Sequence, residues 1–223
     1  MESMAGKQRL RVTFSKGPRL KYISHLDLAL TWERALRRAG VPLAYSQGHN
    51  PQAKLQLASG LPLGYIGCAE VMDVILTEPL SPVQLAACLQ PVLPQGLSVI
   101  GIEEVPLKSP SLQSALRQAV YRVRLETWLT AHDLERRIRD LLAVDRLEGQ
   151  RIRKQRAENF DLRPLVHDLW LEGADQGQAV LGMRLSAGQR GHARPEAVLA
   201  ALDVPAAGAH VERSQLLFEF DSH

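Results

Sequence analysis

The sequence predicts an α+β fold made of two tandem domains, and three observations lead to this prediction. Segments that alternate apolar and polar residues are interspersed with segments of helical period in each half of the chain. The first half has the order strand, helix, strand, strand, helix, strand. A similar order starts again after residue 114. Because this is the order of a ferredoxin-like domain, the prediction is two tandem ferredoxin-like (βαββαβ) domains.

The predicted first domain covers residues 9–105 and opens with a strand and a capped helix. Apolar and polar residues alternate over residues 10–14, which is the period of a half-buried strand. Ser24 and Asp27 have the spacing of a capping box, in which each side chain bonds to the backbone N–H of the other residue. Apolar residues then recur at helical spacing until Gly40, so the helix is predicted to end there.

The remainder of the first domain is predicted to contain a strand, a helix and a final strand. β-Branched and apolar residues predict a strand over residues 69–76. Ser81 followed by Pro82 is typical of a helix start, with serine as the N-cap and proline in the first turn. Residues 97–105 are again rich in β-branched residues and predict the last strand.

Residues 106–114 are rich in proline and serine and are the predicted linker. The second domain is then predicted to cover residues 115–221. Alternation predicts its first strand over residues 116–127, and Thr130 with Asp133 has the spacing of a second capping box.

Two further features indicate that the second half repeats the first. Residues 194–202 align without a gap on residues 81–89, with proline, an aliphatic residue, alanine and leucine at matching places. The match predicts a duplicated domain, although convergence of two helix starts is the alternative. A basic strand is predicted over residues 151–154, and a closing strand over residues 215–220.

The segment 43–67 is the candidate functional loop, because its glycines and prolines exclude a continuous helix or central strand. Long ordered loops in small domains usually carry function. The alternative is a short irregular strand pair joined by turns. The polar residues of this segment that we select as binding candidates are Tyr45, Ser46, Asn50 and Lys54.

Composition excludes several classes of protein. The chain has 223 residues, a formal net charge of +3 and two cysteines that form no Cys-x-x-Cys pair, so cysteine cannot assemble a zinc or iron–sulfur site. A phosphate-binding P-loop, a dinucleotide fingerprint and a His-Glu-x-x-His motif are absent from the sequence. We therefore expect no cofactor and no metal. Without an apolar segment of transmembrane or signal-peptide type, the expected location is the cytoplasm.

Positive charge is concentrated in two segments. Lys and Arg outnumber Asp and Glu by 9 to 3 in residues 1–40 and by 11 to 6 in residues 111–156. Such segregation can produce a basic face that attracts phosphate, while solvated arginines on ordinary helices are the alternative. The phosphate-binding candidates from these segments are Arg34, Arg38, Arg151, Arg153 and Lys154.

His25 and His49 are the candidates for proton transfer, because an imidazole titrates near neutral pH. Together with Tyr45, Ser46 or Lys54 they could cleave an RNA backbone by general acid–base chemistry. The alternative is that His25 only begins a helix and His49 lies in solvent.

Several groups of residues share the pattern of one bacterial family. In the first half they are Ile23-Ser24-His25-Leu26-Asp27, Arg34, Tyr45-Ser46-Gln47-Gly48, Asn50-Pro51, Leu61-Pro62-Leu63-Gly64 and Glu70. In the second half they are Asp161-Leu162-Arg163-Pro164, Gly191, Arg194-Pro195 and Arg213. On these residues the chain resembles the radical-SAM-associated proteins, a bacterial domain family of unknown function that occurs beside or fused to B12-binding radical SAM proteins.

The resemblance implies a radical SAM protein as partner. This chain has no Cys-x-x-x-Cys-x-x-Cys motif, so the radical chemistry would have to come from that partner. The chain departs from the family pattern at His49 and at Gln52-Ala53, where an aromatic residue and then a basic residue followed by proline are expected. This departure argues against a role that depends on a bulky, rigid loop tip.

The leading functional hypothesis is an accessory module that binds RNA, such as transfer or ribosomal RNA, or another anionic substrate, and presents it to the radical SAM partner. Aromatic residues make up only 5% of the chain, so contacts to the phosphate backbone are expected rather than base stacking. The alternatives are a metal-independent endoribonuclease and a protein–protein scaffold.

Overall fold

The computed structural model describes residues 6–153 and 156–220, with the side chains of residues 6–149 and 159–220. The chain divides into two units. Unit 1 comprises Met1–Ala115 and Phe218–His223, and unit 2 comprises Leu116–Leu217. Both units combine helices with mostly antiparallel strands, which confirms the α+β class predicted from the sequence.

Unit 1 contains the strands and helices that the alternation and capping patterns predict. In chain order its elements are β1 (Gln8–Lys16), α1 (His25–Arg38), β2 (Leu55–Leu57), β3 (Ile66–Leu76), α2 (Pro82–Leu89), β4 (Leu97–Val105) and α3 (Leu112–Ala115). The strand order is β4-β1-β3, and the short strand β2 also pairs with β3. All of these pairings are antiparallel.

One face of this sheet forms the core of unit 1 with helices α1 and α2. Phe14 of β1 meets Trp32 of α1 edge to face, with 4.9 Å between the ring centroids. The first capping box is present, since Ser24 accepts from the Asp27 backbone N–H while the Asp27 side chain accepts from the Ser24 backbone N–H. Gly40 has a positive φ of 72° just after the helix, a conformation that glycine adopts without strain.

The segment 43–67 follows the alternative interpretation more closely than that of a long loop. An isolated bridge joins Tyr45 to Ala53, and β2 then pairs with β3 from Leu55↔Val74 to Leu57↔Met72. Leu43 forms a further isolated bridge with Leu76, and the segment ends in the first two residues of β3, with turns, bends and irregular backbone between these pairings. The punctuating glycines and prolines thus limit the strands to short lengths and do not prevent them.

The segment 106–114, expected to be a linker, belongs to unit 1. The backbone carbonyl oxygens of Ser109 and Pro110 accept hydrogen bonds from the Arg9 guanidinium of β1, at 2.6 and 3.0 Å. Leu112 is fully buried where the short helix α3 begins. A proline- and serine-rich composition therefore did not make this segment a solvated tether, because buried partners bind its carbonyl groups.

Unit 2 has a four-stranded sheet and a separate hairpin among its described residues. Its elements are β5 (Leu116–Glu126), α4 (Ala131–Ala143), β6 (Glu148–Arg153), β7 (Arg156–Asp161), β8 (Val166–Asp175), β9 (Gln178–Ser186), α5 (Pro195–Ala201) and β10 (His210–Phe218), whose last residue falls in unit 1. The strand order is β10-β5-β9-β8. Thr130 caps α4 as predicted, by accepting from the Asp133 backbone N–H.

Two strands of unit 2 were not predicted. The basic strand expected over residues 151–154 is present as β6 up to Arg153, where it pairs with β7 in a two-stranded sheet of its own. The strands that were missed are β8 and β9, which belong to the four-stranded sheet of unit 2. The signal for β9 was present, because Leu181, Met183 and Leu185 alternate with other residues and are all buried. Strand β8 carries many polar residues, which hid its period.

Candidate anion-binding site

Helix α1 presents its arginines to solvent. Its buried residues are Leu28, Trp32, Ala35 and Leu36, so the guanidiniums of Arg34 and Arg38 lie on the opposite side and are exposed. No carboxylate of the described residues pairs with either of them. The neighbouring Arg37 makes a long contact of 3.8 Å with Glu33. Among the described residues, the arginines of α1 therefore form an exposed basic face that carboxylates compensate only weakly.

The carboxylate of Asp27 is not part of that surface. Its Oδ2 atom accepts from the Ser24 hydroxyl at 2.7 Å and from the Ser24 backbone N–H at 3.3 Å. The Asp27 carboxylate thus caps the N-terminus of α1. Because Arg37 and Arg38 lie in the last turn, the C-terminal half of α1 is the more positive half. Cations at a helix C-terminus also interact favourably with the helix dipole.

The predicted binding residues of segment 43–67 divide into inner and outer positions. Tyr45 is half-buried and packs against the core of unit 1, and the Ser46 hydroxyl accepts from the Gln52 backbone N–H at 2.9 Å. Asn50 and His49 are exposed in the turn between these residues. Tyr45 and Ser46 therefore shape the turn, while Asn50 and His49 are accessible to a ligand.

Neither candidate histidine has a residue that orients its ring. His25 is exposed at the first position of α1, and its ring lies over Gly60, where a Cβ atom would stand 3.9 Å away. Within the described ranges, neither His25 nor His49 hydrogen-bonds through its side chain. Acid–base catalysis uses an imidazole positioned by such bonds, so no observation here favours the ribonuclease alternative.

A buried charge network lies on the face of the unit 1 sheet opposite α1. Asp73 of β3 accepts from Arg9 Nε at 3.0 Å and from Arg11 Nε and Nη2 at 2.9 and 3.2 Å, and it also accepts from Arg9 Nη2. The side chains of Arg9, Arg11 and Asp73 are 7%, 11% and 3% exposed. Arg11 also lies 4.6 Å from the centroid of the Phe220 ring, a cation–π distance.

Strand register explains why these groups meet. Arg11 pairs with Asp73, and Asp73 also pairs with Gln56 of β2, so the three side chains share one face of the sheet. Glu103 of β4 stands opposite Arg11 on the other side but is exposed and makes no ion pair with any described residue.

A cleft of about 270 Å³ opens beside this network, and we call it the Lys54 cleft. Lys54 is the predicted binding residue that the fold brings into it, and this side chain is half-buried. In the part of the chain that the structure describes, the Lys54 ammonium and the Gln56 amide make no hydrogen bond or ion pair. The cleft is lined by Arg9, Lys54, Leu55, Gln56, Asp73, Ile75, Ser109 and Ser111.

Charge in and beside the Lys54 cleft is unbalanced. Arg9, Arg11 and Lys54 carry three positive charges, and Asp73 carries one negative charge, which leaves a net charge of +2. A larger groove of about 1010 Å³ lies between α2 and β4, and Arg19 is the charged residue of its lining. Of these two concave sites, the Lys54 cleft carries the greater positive charge and is the better candidate for an anion.

The basic hairpin of unit 2 is described only in its backbone. Arg151 and Arg153 lie on β6, opposite Glu158 and Arg156 of β7. Lys154, the last of the predicted phosphate contacts, lies outside the described residues.

Several residues of the second-half family pattern have structural partners. Asp161 Oδ1 accepts from the backbone N–H groups of Leu147 and Arg163, both at 3.0 Å, and these bonds lower the pKa of the Asp161 carboxyl. The Arg163 guanidinium donates to the carbonyl oxygens of Leu142, Val144 and Val166. These two side chains therefore hold the end of α4 near the start of β8.

A second group from this pattern surrounds His192. Arg213 of β10 is 1% exposed, whereas the side chain of His192 is still accessible to solvent. Partial desolvation, together with the positive charges of Arg194 and Arg213, lowers the pKa of His192. Among the described residues, no group of three or more His, Cys, Asp or Glu side chains is placed to hold a metal ion. The helices of the described segments are too short or too polar to cross a membrane.

Sequence reasoning missed most of the Lys54 cleft. Arg11 falls on the polar side of the strand predicted over residues 10–14, and neither Arg9 nor Asp73 was selected as a site residue. An acidic residue within a run of apolar strand residues was the available signal, since such a group needs a cation once it is buried. Ser109 carried no such signal, because only the path of the segment 106–114 brings it to the sheet.

Solved structures similar to this chain include components of ribonucleoproteins. They include a Cbf5-Nop10-Gar1 complex, with a TM-score of 0.49, 10% identity and coverage of 93% of this chain and 48% of that chain. An archaeal box H/ACA sRNP Nop10-Cbf5 complex gives a TM-score of 0.45 and 14% identity, with 92% and 47% covered. This chain thus spans about half the length of those chains, and TM-scores below 0.5 carry no conclusion about function.

Two comparisons concern sequence. No curated protein matches this chain. The profile of a bacterial family matches residues 9–195, which is most of the chain. The chain therefore belongs to the family described as "Uncharacterized protein conserved in bacteria (DUF2344)".

Proposed function

We propose that this chain is an accessory module that binds RNA and presents it to a radical SAM enzyme. The observation that carries the proposal is the exposed basic face of α1, where Arg34 and Arg38 have no acidic partner among the described residues. A protein with such side chains binds nucleic acid mainly by neutralising the phosphate groups of the nucleic-acid backbone. The proposed phosphate contacts are Arg34 and Arg38 on the α1 face, Lys54 in its own cleft, and Arg151, Arg153 and Lys154 in the second half of the chain. The proposed binding residues of the turn after residue 44 are Tyr45, Ser46 and Asn50.

The radical SAM partner in this proposal rests on the sequence resemblance given above. Its test is to recover the tagged chain from its native cells under gentle conditions and identify the proteins that accompany it. A recovered protein with a Cys-x-x-x-Cys-x-x-Cys motif supports the partnership. RNA binding without any such protein would remove the radical SAM part and leave an RNA-binding module.

We also propose that each unit is a ferredoxin-like domain. Unit 1 supports this with the order β4-β1-β3 and β2 beside β3. In unit 2 the order β10-β5-β9-β8 corresponds to the same arrangement if β5, β8, β9 and β10 are its four strands. The hairpin β6–β7 is then an insertion between α4 and the second strand of the domain.

Salt-dependent RNA binding tests the main proposal. The double variant Arg34→Glu, Arg38→Glu is compared with the wild type in filter binding to bulk transfer RNA between about 50 and 200 mM salt. The logarithm of affinity should fall linearly with the logarithm of salt concentration. Loss of two phosphate contacts should make this slope shallower by about 1.4 to 1.8 and weaken binding at every salt concentration.

A matched control separates the α1 face from overall charge. Arg19→Glu, Lys108→Glu makes the same change in net charge on exposed residues of unit 1. The control should keep the wild-type slope. Wild-type binding that does not depend on salt, or equal losses in both double variants, would contradict the proposed α1 interface.

A further inference from the structure

We propose that the Lys54 cleft binds a phosphate monoester, such as the phosphate of a nucleotide or of an RNA end. The Lys54 cleft is distinct from the exposed face of α1, because it lies on the opposite face of the unit 1 sheet. The inference deepens the proposed function, and it rests on that function only where RNA is the source of the phosphate.

Hydrogen-bond donors in the cleft outnumber the acceptors that could satisfy them. The four bonds from Arg9 to Asp73, Ser109 and Pro110 use four of the five N–H groups of its guanidinium. The remaining N–H is on Nη1. Lys54 adds an ammonium with three N–H donors, and Gln56 adds an amide, and neither has a partner within the described ranges.

The carboxylate of the cleft is engaged by the two guanidiniums. Oδ2 of Asp73 accepts three of their N–H groups and Oδ1 accepts one. Lys54 makes no bond to Asp73 among the described residues, so its ammonium remains a donor for a ligand. A group with several acceptor oxygens and a negative charge is the ligand that would satisfy the remaining donors.

The net charge of the cleft favours the same ligand. Two guanidiniums share one carboxylate in a site that is about nine-tenths or more buried, so one positive charge stays uncompensated by any described ion pair. Burial weakens screening by salt and strengthens attraction for an anion. A phosphate dianion beside Arg9 and Lys54 would neutralise the net charge of +2.

The size of the cleft limits what else can enter. A volume of about 270 Å³ lies just below the usual range for small-molecule sites, so a phosphate and part of its ester group fit, and a long oligonucleotide segment does not. Leu55 and Ile75 supply the apolar part of the lining. The cleft therefore suits a terminal phosphate better than one within an RNA strand.

Calorimetric titration of the full chain tests the inference. The probes are inorganic phosphate, a nucleoside 5′-monophosphate, and a short RNA with a 5′-phosphate compared with the same RNA with a 5′-hydroxyl. Saturable binding of at least one phosphate-bearing probe is expected. Lys54→Gln should weaken it about tenfold, because the variant loses a hydrogen bond to a charged group. Ser109→Ala is the second variant. It keeps the backbone carbonyl that accepts from Arg9 and removes only the hydroxyl from the lining, so it should weaken binding by about twofold to tenfold.

Arg19→Gln, which removes an exposed positive charge of unit 1 outside both proposed sites, is the control and should leave binding of free phosphate unchanged. Tighter binding of the 5′-phosphate RNA than of the 5′-hydroxyl RNA would identify an RNA end as the source of the phosphate. If the two RNAs bind equally and the nucleoside monophosphate binds, the ligand is the nucleotide. Saturation by none of the phosphate-bearing probes, or wild-type affinity in Lys54→Gln, overturns the inference. That result would not affect the proposal that RNA binds through α1. Conversely, failure to bind RNA, with phosphate binding retained, would contradict only the α1 proposal.

Discussion

The substitution Asp73→Asn removes the charge that compensates two buried guanidiniums, and we expect a large loss of stability. The asparagine keeps one acceptor oxygen and nearly the same volume, so the loss comes from charge and from one or two hydrogen bonds. Arg9 and Arg11 remain only 7% and 11% exposed. Breaking a buried ion pair costs about 3 to 5 kcal/mol, and the retained amide oxygen places the estimate near the lower end, at about 3 kcal/mol.

Urea unfolding of unit 1 measures this change. With a denaturant dependence of about 1 to 3 kcal/mol per molar urea, a loss of about 3 kcal/mol lowers the midpoint by about 1 to 3 M. The matched control is Asp168→Asn in unit 2, whose ion pair with Arg184 spans 3.4 Å between side chains that are 49% and 43% exposed. That control should cost no more than about 1 kcal/mol.

A loss below about 1 kcal/mol for Asp73→Asn would refute the reasoning. It would mean that the two guanidiniums are well solvated or have another counter-charge. In that case the claim that the Lys54 cleft carries a net positive charge would also be wrong. The same variant is informative with phosphate present, because a bound anion should restore part of the lost stability.

Three further predictions concern other parts of the chain. Ser24→Ala removes the N-cap of α1 and should lower the free energy of unfolding by about 1 kcal/mol in urea. Ser24→Asp can still cap the helix and should change this free energy little. Equal decreases in the two variants would count against the cap. Gly182→Ala should displace Trp170, because the added Cβ atom would stand 1.9 Å from the indole ring. The tryptophan fluorescence emission should then shift to the red, and an unchanged spectrum would contradict this contact. The pKa of His192 is lowered below 6.5, so the unfolded state binds more protons than the folded state and stability should fall as the pH drops below about 6.5. The variant His192→Gln should reduce this pH dependence in unfolding curves. An unaltered pH profile would show that His192 does not contribute.

The elements of unit 1 were predictable because their signals are local. Ser24 and Ser81 cap α1 and α2 as the sequence indicates, and β4 has the bounds that its β-branched residues predict. A cap or an alternating strand depends on residues within a few positions, so it can be recognised before the chain is folded. The length of β2 was not accessible in this way, because its three residues are held by pairing with β3.

The candidate site was predictable only in part. Arg34 and Arg38 lie on the solvent side of α1, as expected from the helical period of its apolar residues. Lys54 was selected for its charge in a turn-rich segment, yet its place in a cleft depends on β2 pairing with β3. The basic strand was predicted, but its pairing with β7 in a separate hairpin was not, because a local residue pattern does not record the partner strand.

The sequence by itself determined the α+β class, the capped helix starts and the basic character of α1, since these follow from residue type and short spacing. Only the tertiary structure decided that Arg9, Lys54, Asp73 and Ser109 line one cleft, because Arg9 and Ser109 are 100 positions apart. Strand register and the path of the segment 106–114 bring them together. Long-range pairing depends on the free energy of the whole fold, and no local pattern records it.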